Sequence, residues 1–185
     1  MSIKSWNIDP TWTLFLDRDG VINTRIVGGY VTSPEEFIFI EGAAAAIAAL
    51  NRYFHRVIVV TNQQGIGKGL MTERNLLEIH TYMCDEVHKM GGNIDKCYFA
   101  PNLRGAEDDM RKPGPAMAEL AQMEFPEIEF KHSVMIGDTD SDIVFGRNLG
   151  MKTVLVRSQE KTSEKADLTV DNLMDFLKHL RNEMD

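Results

Sequence analysis

Val57-Ile-Val-Val60 is apolar at every position, so both faces of this segment need cover. A strand with one wet face alternates apolar and polar residues. An unbroken apolar run belongs to a parallel sheet packed on both sides. Six strands follow from runs of this kind: Trp12–Leu16, Arg56–Val60, Ile94–Phe99, His132–Ile136, Lys152–Val156 and a short Leu168–Val170. Helical stretches alternate with them. Ala43–Leu50 is almost all alanine, the best helix former, and permits close packing on a sheet. Thr72 caps a helix reaching about Met90, with Leu76, Ile79 or His80, Met83, Val87 and Met90 as its apolar stripe. Pro115 opens a helix through Met123, and another follows Asp142 to Leu149. Asp171 is placed to cap the last, with Leu173, Phe176, Leu177 and Leu180 on one face. Ser33-Pro34-Glu35-Glu36 reads as a brief turn of helix with Ser33 as cap.

This alternation specifies an α/β fold, a three-layer Rossmann-like domain with a mainly parallel sheet and right-handed crossovers. The insertions after Gly20 and Phe99 are short, so no large cap domain is expected, and residues 1–185 read as a single domain. With 43% apolar residues the chain can fill such a core. Its 28 acidic and 20 basic residues leave a formal charge of −8, which argues against a nucleic-acid partner. That charge does not exclude a phosphorylated ligand, because a local pocket can be positive in an acidic protein. Cys84 and Cys97 have no metal spacing and read as core thiols. No apolar run approaches membrane-spanning length and no signal peptide precedes the first strand. The expectation is a cytoplasmic protein without a membrane partner; a monomer is compatible with the sequence, which says little about oligomeric state.

Ligands of such sheets bind beyond the strand C-termini. Strand 1 ends in Asp17-Arg-Asp19-Gly20. Two carboxylates this close repel and need a cation or a hydrogen-bond network. Mg²⁺ suits them, since it prefers oxygen ligands and accepts carboxylates beside phosphate. The strand-2 end adds Thr61 and Asn62, a turn adds Lys112, and strand 4 adds Asp138 with Asp142 four residues on. The set suits phosphoryl transfer. One carboxylate attacks phosphorus, a second moves protons, and lysine and cation offset the oxyanion charge. A receiver-like phosphoacceptor module, which works by binding partners, gathers similar groups. Each residue also has a plainer use. Asp17-x-Asp19-Gly20 can be a turn, Asp138 or Asp140 a helix cap, Lys112 a solvated lysine, and Asp142 a helix-dipole partner. Gly65-Ile-Gly-Lys68-Gly69 lacks nucleotide P-loop spacing, and Lys68 can meet substrate or water. His55, His80, His88, His132 and His179 show no metal spacing.

Asp17-Arg-Asp19-Gly20, Val59-Val-Thr61-Asn62, Lys112-Pro113 and Ile136-Gly-Asp138 with Asp142 resemble, in order, the four motifs of the haloacid dehalogenase superfamily of phosphohydrolases. The resemblance spans almost the whole chain. It implies Asp17 as nucleophile and Asp19 as general acid/base. It implies Mg²⁺ on the Asp17 and Asp138 carboxylates and the Asp19 carbonyl, with Asp142 behind them. Thr61 and Lys112 would hold phosphate. Gly29-Tyr-Val31, Ser33-Pro-Glu35, Thr61-Asn-Gln63 and Arg111-Lys-Pro113 resemble the D-glycero-D-manno-heptose-1,7-bisphosphate phosphatase branch, grouped with the histidinol-phosphate phosphatases. That resemblance implies a small phosphorylated sugar as partner. Thr61, Asn62, Gln63, Lys68, Arg111 and Lys112 are its expected binding residues.

One departure stands out. Many relatives hold a structural zinc in this region through Cys-x-His and Cys-x-Cys. The matching positions are Ala100, Asn102, Asp108 and Met110, so no structural zinc is expected and loop 100–110 must be held another way.

Overall fold

The structure, a computed structural model, describes residues 3–107 and 109–184. Strands β1 (Thr13–Leu16), β2 (Arg56–Asn62), β3 (Lys96–Ala100), β4 (Ser133–Gly137), β5 (Lys152–Val156) and β6 (Leu168–Val170) form one sheet. Its order is β3-β2-β1-β4-β5-β6, and every neighbouring pair is parallel. Helices α1 (Ala43–Leu50), α2 (Glu73–Lys89), α3 (Ala116–Glu124), α4 (Asp140–Asn148) and α5 (Leu173–Met184) provide the cover. The fold is the expected three-layer α/β arrangement, with no large cap insertion among the described residues.

Successive strand residues point to opposite faces, and the two faces fill differently. Leu14, Leu16, Val57, Val59, Val134 and Ile136 pack on the side holding Ile47, Leu76, Ile79 and Phe176, from α1, α2 and α5. Phe15, Ile58, Val60 and Met135 pack with Met117, Ala121 and Phe145, from α3 and α4. Every residue of β1 and β4 is buried, as unbroken apolar runs require.

The chain departs from β1 toward β2 and β3 in one direction and from β4 toward β5 and β6 in the other. The C-terminal ends of β1 and β4 therefore border the crevice where such sheets bind ligands. Asp17 follows β1, and its N–H donates to the Ile136 carbonyl at 2.9 Å. Gly20 lets the β1 end approach the β4 end, and Gly137 lets α4 turn back closely on β4. A Cβ on Gly20 (φ +90°) would lie 2.1 Å from Asp138 Oδ2, and one on Gly137 2.1 Å from the Asp142 Cβ.

Some boundaries differ from the sequence expectation. β2 runs on to Asn62, so Thr61 and Asn62 are strand residues rather than loop residues. Asn172, not Asp171, accepts a first-turn N–H of α5, from Asp175 at 3.0 Å. Asp171 instead faces Arg157 Nη1 at 2.5 Å. Ser33 precedes the short 3₁₀ turn Pro34–Glu36 but makes no side-chain cap bond.

Gly137→Ala should destabilise the fold, because the new methyl meets the root of Asp142 rather than a flexible tip. A fall in thermal midpoint of several degrees, roughly 1–3 kcal/mol, is expected from such overpacking. Thermal unfolding of the variant at wild-type temperature would contradict this account of the β4 end.

Candidate active site

Lys112 lies at the centre of the crevice. Its Nζ donates to the Val60 carbonyl at 2.7 Å and faces Asp17 Oδ1 at 2.9 Å and Asp142 Oδ1 at 2.6 Å. The ammonium thus makes one hydrogen bond and pairs with two buried carboxylates. The Asn62 amide clamps the lysine backbone from both sides, accepting its N–H at 2.9 Å and donating to its carbonyl at 3.2 Å. Burial disfavours the ammonium, but Asp142 and Asp17 outweigh it and hold Lys112 above the ordinary lysine range. Burial also pushes the Asp17 carboxyl up, to about 7, against the pull of Lys112. The lysine is shared with Asp142, so it compensates Asp17 only in part. Asp142 Oδ2 accepts from the Thr139 N–H at 3.0 Å and hydroxyl at 2.6 Å, which starts α4. Thr139 is thus the cap residue of α4; Asp138 is not, and Asp140 already belongs to the helix.

Asp138 is fully buried and meets a different cation. Arg25 Nη2 lies 2.7 Å from its Oδ1 and Arg25 Nε 3.3 Å from its Oδ2. The same Nη2 donates to the Asp19 carbonyl at 3.0 Å and lies 3.8 Å from Asp17 Oδ2. Burial raises the Asp138 carboxyl even so.

Asp19 sits in the opposite environment. Arg18 Nη2 reaches both its carboxylate oxygens, at 3.0 and 2.9 Å. Asn23 Nδ2 donates at 2.9 Å and Gln63 Nε2 at 2.8 Å. Burial would raise this carboxyl, but the Arg18 charge and the donors on Asn23, Arg18 and Gln63 hold it below the usual range. Gln63 Nε2 also reaches Thr61 Oγ1 at 2.9 Å, which ties the β2 end to the acidic pair.

Carboxylate oxygens of Asp17, Asp138 and Asp142 come within 4.8 Å of one another, in burial that demands a cation. Hard oxygen donors of this kind fit Mg²⁺. The Arg25 guanidinium, on Asp138, the Asp19 carbonyl and, at 3.8 Å, Asp17, marks a cation position beside this cluster. A family model described as HAD-hyrolase-like matches residues 109–181. The D-glycero-D-manno-heptose-1,7-bisphosphate 7-phosphatase of Chlorobaculum tepidum is 36% identical over 178 residues, 89% of each chain.

The chain belongs to the haloacid dehalogenase superfamily of phosphatases and is closely related to its heptose-bisphosphate 7-phosphatases.

The D-glycero-alpha-D-manno-heptose-1,7-bisphosphate 7-phosphatase of Campylobacter jejuni is 36% identical over 177 residues, 94% of this chain and 98% of that one. The structure is similar, at TM-score 0.83 and 26% identity, to the B. bronchiseptica D,D-heptose 1.7-bisphosphate phosphatase complexed with magnesium and phosphate. The similarity covers 93% of this chain and 99% of that one. This haloacid dehalogenase-type protein is a phosphatase whose carboxylate cluster fits Mg²⁺, so the receiver-like alternative is set aside.

The phosphatase pocket, about 590 Å³, is lined by Asp17, Asp19, Thr61, Asn62, Arg111 and Lys112 among others. Arg111 Nη1 is buried with no hydrogen-bond partner among the described residues. Lys68 is placed differently: its Nζ stacks 5.3 Å from the Tyr30 ring centroid, and Tyr30 lines the pocket. Sequence reasoning missed Arg25, Arg104 and Lys161, which also line it. Nothing in their sequence surroundings separates them from solvated arginines and lysines.

Loop 100–110 has its own anchors. Asp109 accepts from the Gly105 N–H at 3.0 Å and the Arg111 N–H at 2.9 Å, and the Gly67 N–H donates to the Pro101 carbonyl at 3.0 Å. Ala100, Asn102 and Met110 offer no thiolate or imidazole, and Asp108 lies outside the described residues. Asp140, read as a helix cap, instead accepts from the Ser163 N–H, its hydroxyl and the Glu164 N–H at 2.8–3.1 Å. It thereby holds the loop that brings Lys161 to the pocket.

Arg18 was also missed, though it lies inside the first motif. It is fully buried, with Nη1 3.5 Å from His80 Nε2. Burial first, then the Arg18 charge, drives the His80 imidazole down from 6.5 to about 3. The unfolded chain takes up this proton near pH 6.5 and the folded one only near pH 3. Stability from neutral His80 is therefore present above pH 6.5 and lost as pH falls toward 3, on the order of 3 kcal/mol by pH 4. Urea midpoints at pH 7 and pH 4.5 should separate less in His80→Gln than in the wild type. Equal separations would remove His80 from the acid response.

Proposed function

We propose that this phosphatase removes the 7-phosphate of D-glycero-D-manno-heptose 1,7-bisphosphate through an aspartyl-phosphate on Asp17. The observation that carries the reaction is the buried Asp17–Lys112–Asp142 arrangement beside Asp138 at the β1 and β4 ends. The heptose substrate rests on the relatives named for it, one of them 36% identical over 89% of the chain.

An Asp17 oxygen attacks phosphorus and the bond to the sugar oxygen breaks. Asp19 gives that oxygen a proton, later takes one from water, and the water oxygen releases phosphate from Asp17. The donors on resting Asp19 favour its base form. Its acid role in the first half therefore requires at least one of those contacts to give way. Mg²⁺ on Asp17, Asp138 and the Asp19 carbonyl would offset phosphoryl charge and favour ionised Asp17. Lys112 and Thr61 hold the reacting phosphate. Asn62 acts by fixing the Lys112 backbone, Gln63 by orienting Asp19, and Asp142 by orienting Lys112. Arg111 takes the distal phosphate, for which its planar donors suit bidentate contact. Lys68 supports Tyr30 at the pocket wall. The chain acts as one domain, since a single parallel sheet runs through it. A reducing cytoplasm suits its two free cysteines.

Asp17→Asn should lower kcat by more than roughly 1,000-fold with the fold intact. Phosphate release by the purified variant at near-native rate would rule out the nucleophile. Turnover should vanish in EDTA, return with Mg²⁺ and survive a zinc-selective chelator.

Substrate choice is tested by kcat/KM for the heptose bisphosphate, its monophosphate and histidinol phosphate. The bisphosphate should lead, and Arg111→Ala should lower its value about 10–100-fold while affecting the monophosphates less. Preference for histidinol phosphate would overturn the heptose assignment. Equal losses on all three would overturn the distal role of Arg111.

A further inference from the structure

Arg25 touches the same three groups that the preceding reading assigns to Mg²⁺. One nitrogen, Nη2, lies 2.7 Å from Asp138 Oδ1, 3.0 Å from the Asp19 carbonyl and 3.8 Å from Asp17 Oδ2. Mg²⁺ bonds oxygen at about 2.0–2.1 Å and demands near-octahedral geometry. An ion within bonding reach of Asp138 Oδ1 and the Asp19 carbonyl would overlap a nitrogen already in hydrogen-bond contact with both. The guanidinium and the ion cannot share the position.

Charge points the same way. Asp19 is paired with Arg18, which leaves Asp17, Asp138 and Asp142 to be balanced. Lys112 and a divalent ion neutralise three carboxylates without Arg25. In the absence of the ion, Lys112 alone leaves two of the three uncompensated, and Arg25 is the second cation in contact. The two cations differ in mobility. The Lys112 side chain is 1% exposed with its ammonium between two buried carboxylates, whereas the Arg25 side chain is 32% exposed and borders the open pocket. Arg25 also belongs to the loop before Tyr30, where Gly28 has φ +71° and Val27 is 77% exposed, rather than to a helix or strand.

We propose that Arg25 is the resident cation of the metal-free phosphatase, and that Mg²⁺ binding expels its guanidinium toward the pocket mouth. The exchange keeps the buried carboxylates compensated before the metal arrives and weakens the apparent metal affinity. It rests on the assignment of Asp17, Asp138 and the Asp19 carbonyl as the Mg²⁺ ligands.

Calorimetric titration with Mg²⁺ and thermal unfolding, with and without EDTA, test it without any turnover. Arg25→Ala should bind Mg²⁺ on the order of tenfold more tightly than the wild type, since no arginine-occupied state competes. In EDTA its thermal midpoint should fall by several degrees, because Asp138 loses its partner. At saturating Mg²⁺ the two midpoints should converge. Arg25→Gln keeps amide donors without the charge and gives the same ordering if the alanine variant does not fold in EDTA. Equal or weaker Mg²⁺ binding by the Arg25 variants overturns the exchange, as does a midpoint loss of the same size with and without Mg²⁺. Asp138→Asn separates the two levels. If it abolishes Mg²⁺ binding, the metal site stands whatever Arg25 does. If it binds Mg²⁺ as the wild type does, the metal assignment fails and the exchange fails with it.

Discussion

The Lys112 ammonium, held by the Val60 carbonyl and two buried carboxylates, is the contact on which the rest of the site depends. Removing one partner from a buried ion pair costs about 3–5 kcal/mol, because the other charge is left without compensation. Here one lysine serves Asp17 and Asp142 together, so its loss would strand both. That explains why so much local structure is spent on its backbone, through the Asn62 amide, and on Asp142, through Thr139.

The fold delivers these partners from widely separated parts of the chain. A parallel sheet puts all strand C-termini on one edge, and the reversal of order between β1 and β4 opens the crevice there. Glycine is needed where the two ends meet, since a methyl at Gly20 would strike the Asp138 carboxylate. The pocket wall is then built by loops with carboxylate anchors. Asp109 ties loop 100–110 and Asp140 ties the loop carrying Lys161. Such anchors do for these loops what a bound metal can do elsewhere: they satisfy backbone donors and fix the chain path.

Two carboxylates only two residues apart end in opposite states. Asp17 is buried with a shared cation and is pushed up; Asp19 receives Arg18, Asn23 and Gln63 and is pulled down. Environments that push paired carboxyl groups apart are how one site runs both nucleophilic and proton-transfer chemistry. The Arg18 charge needed for this is itself buried, beside a histidine kept neutral.

Local chemistry made much of this legible in the sequence alone. Apolar runs at Val57–Val60 and Val134–Ile136 mark double-covered strands, and Asp17, Asp19, Lys112 and Asp138 follow strands or a turn in the order of the four motifs that the chain resembles. The structure packs Asp17, Lys112, Asp138 and Asp142 closely together. Arg25, Arg18, His80 and the anchors Asp109 and Asp140 were not legible as parts of the site. Arg25 meets Asp138 across 113 residues, and Arg18 meets His80 across 62. A sequence states which charges a chain carries, whereas burial and pairing decide what each charge does. Those depend on distances that exist only once the sheet has closed β1 against β4 and packed α2 over the first motif.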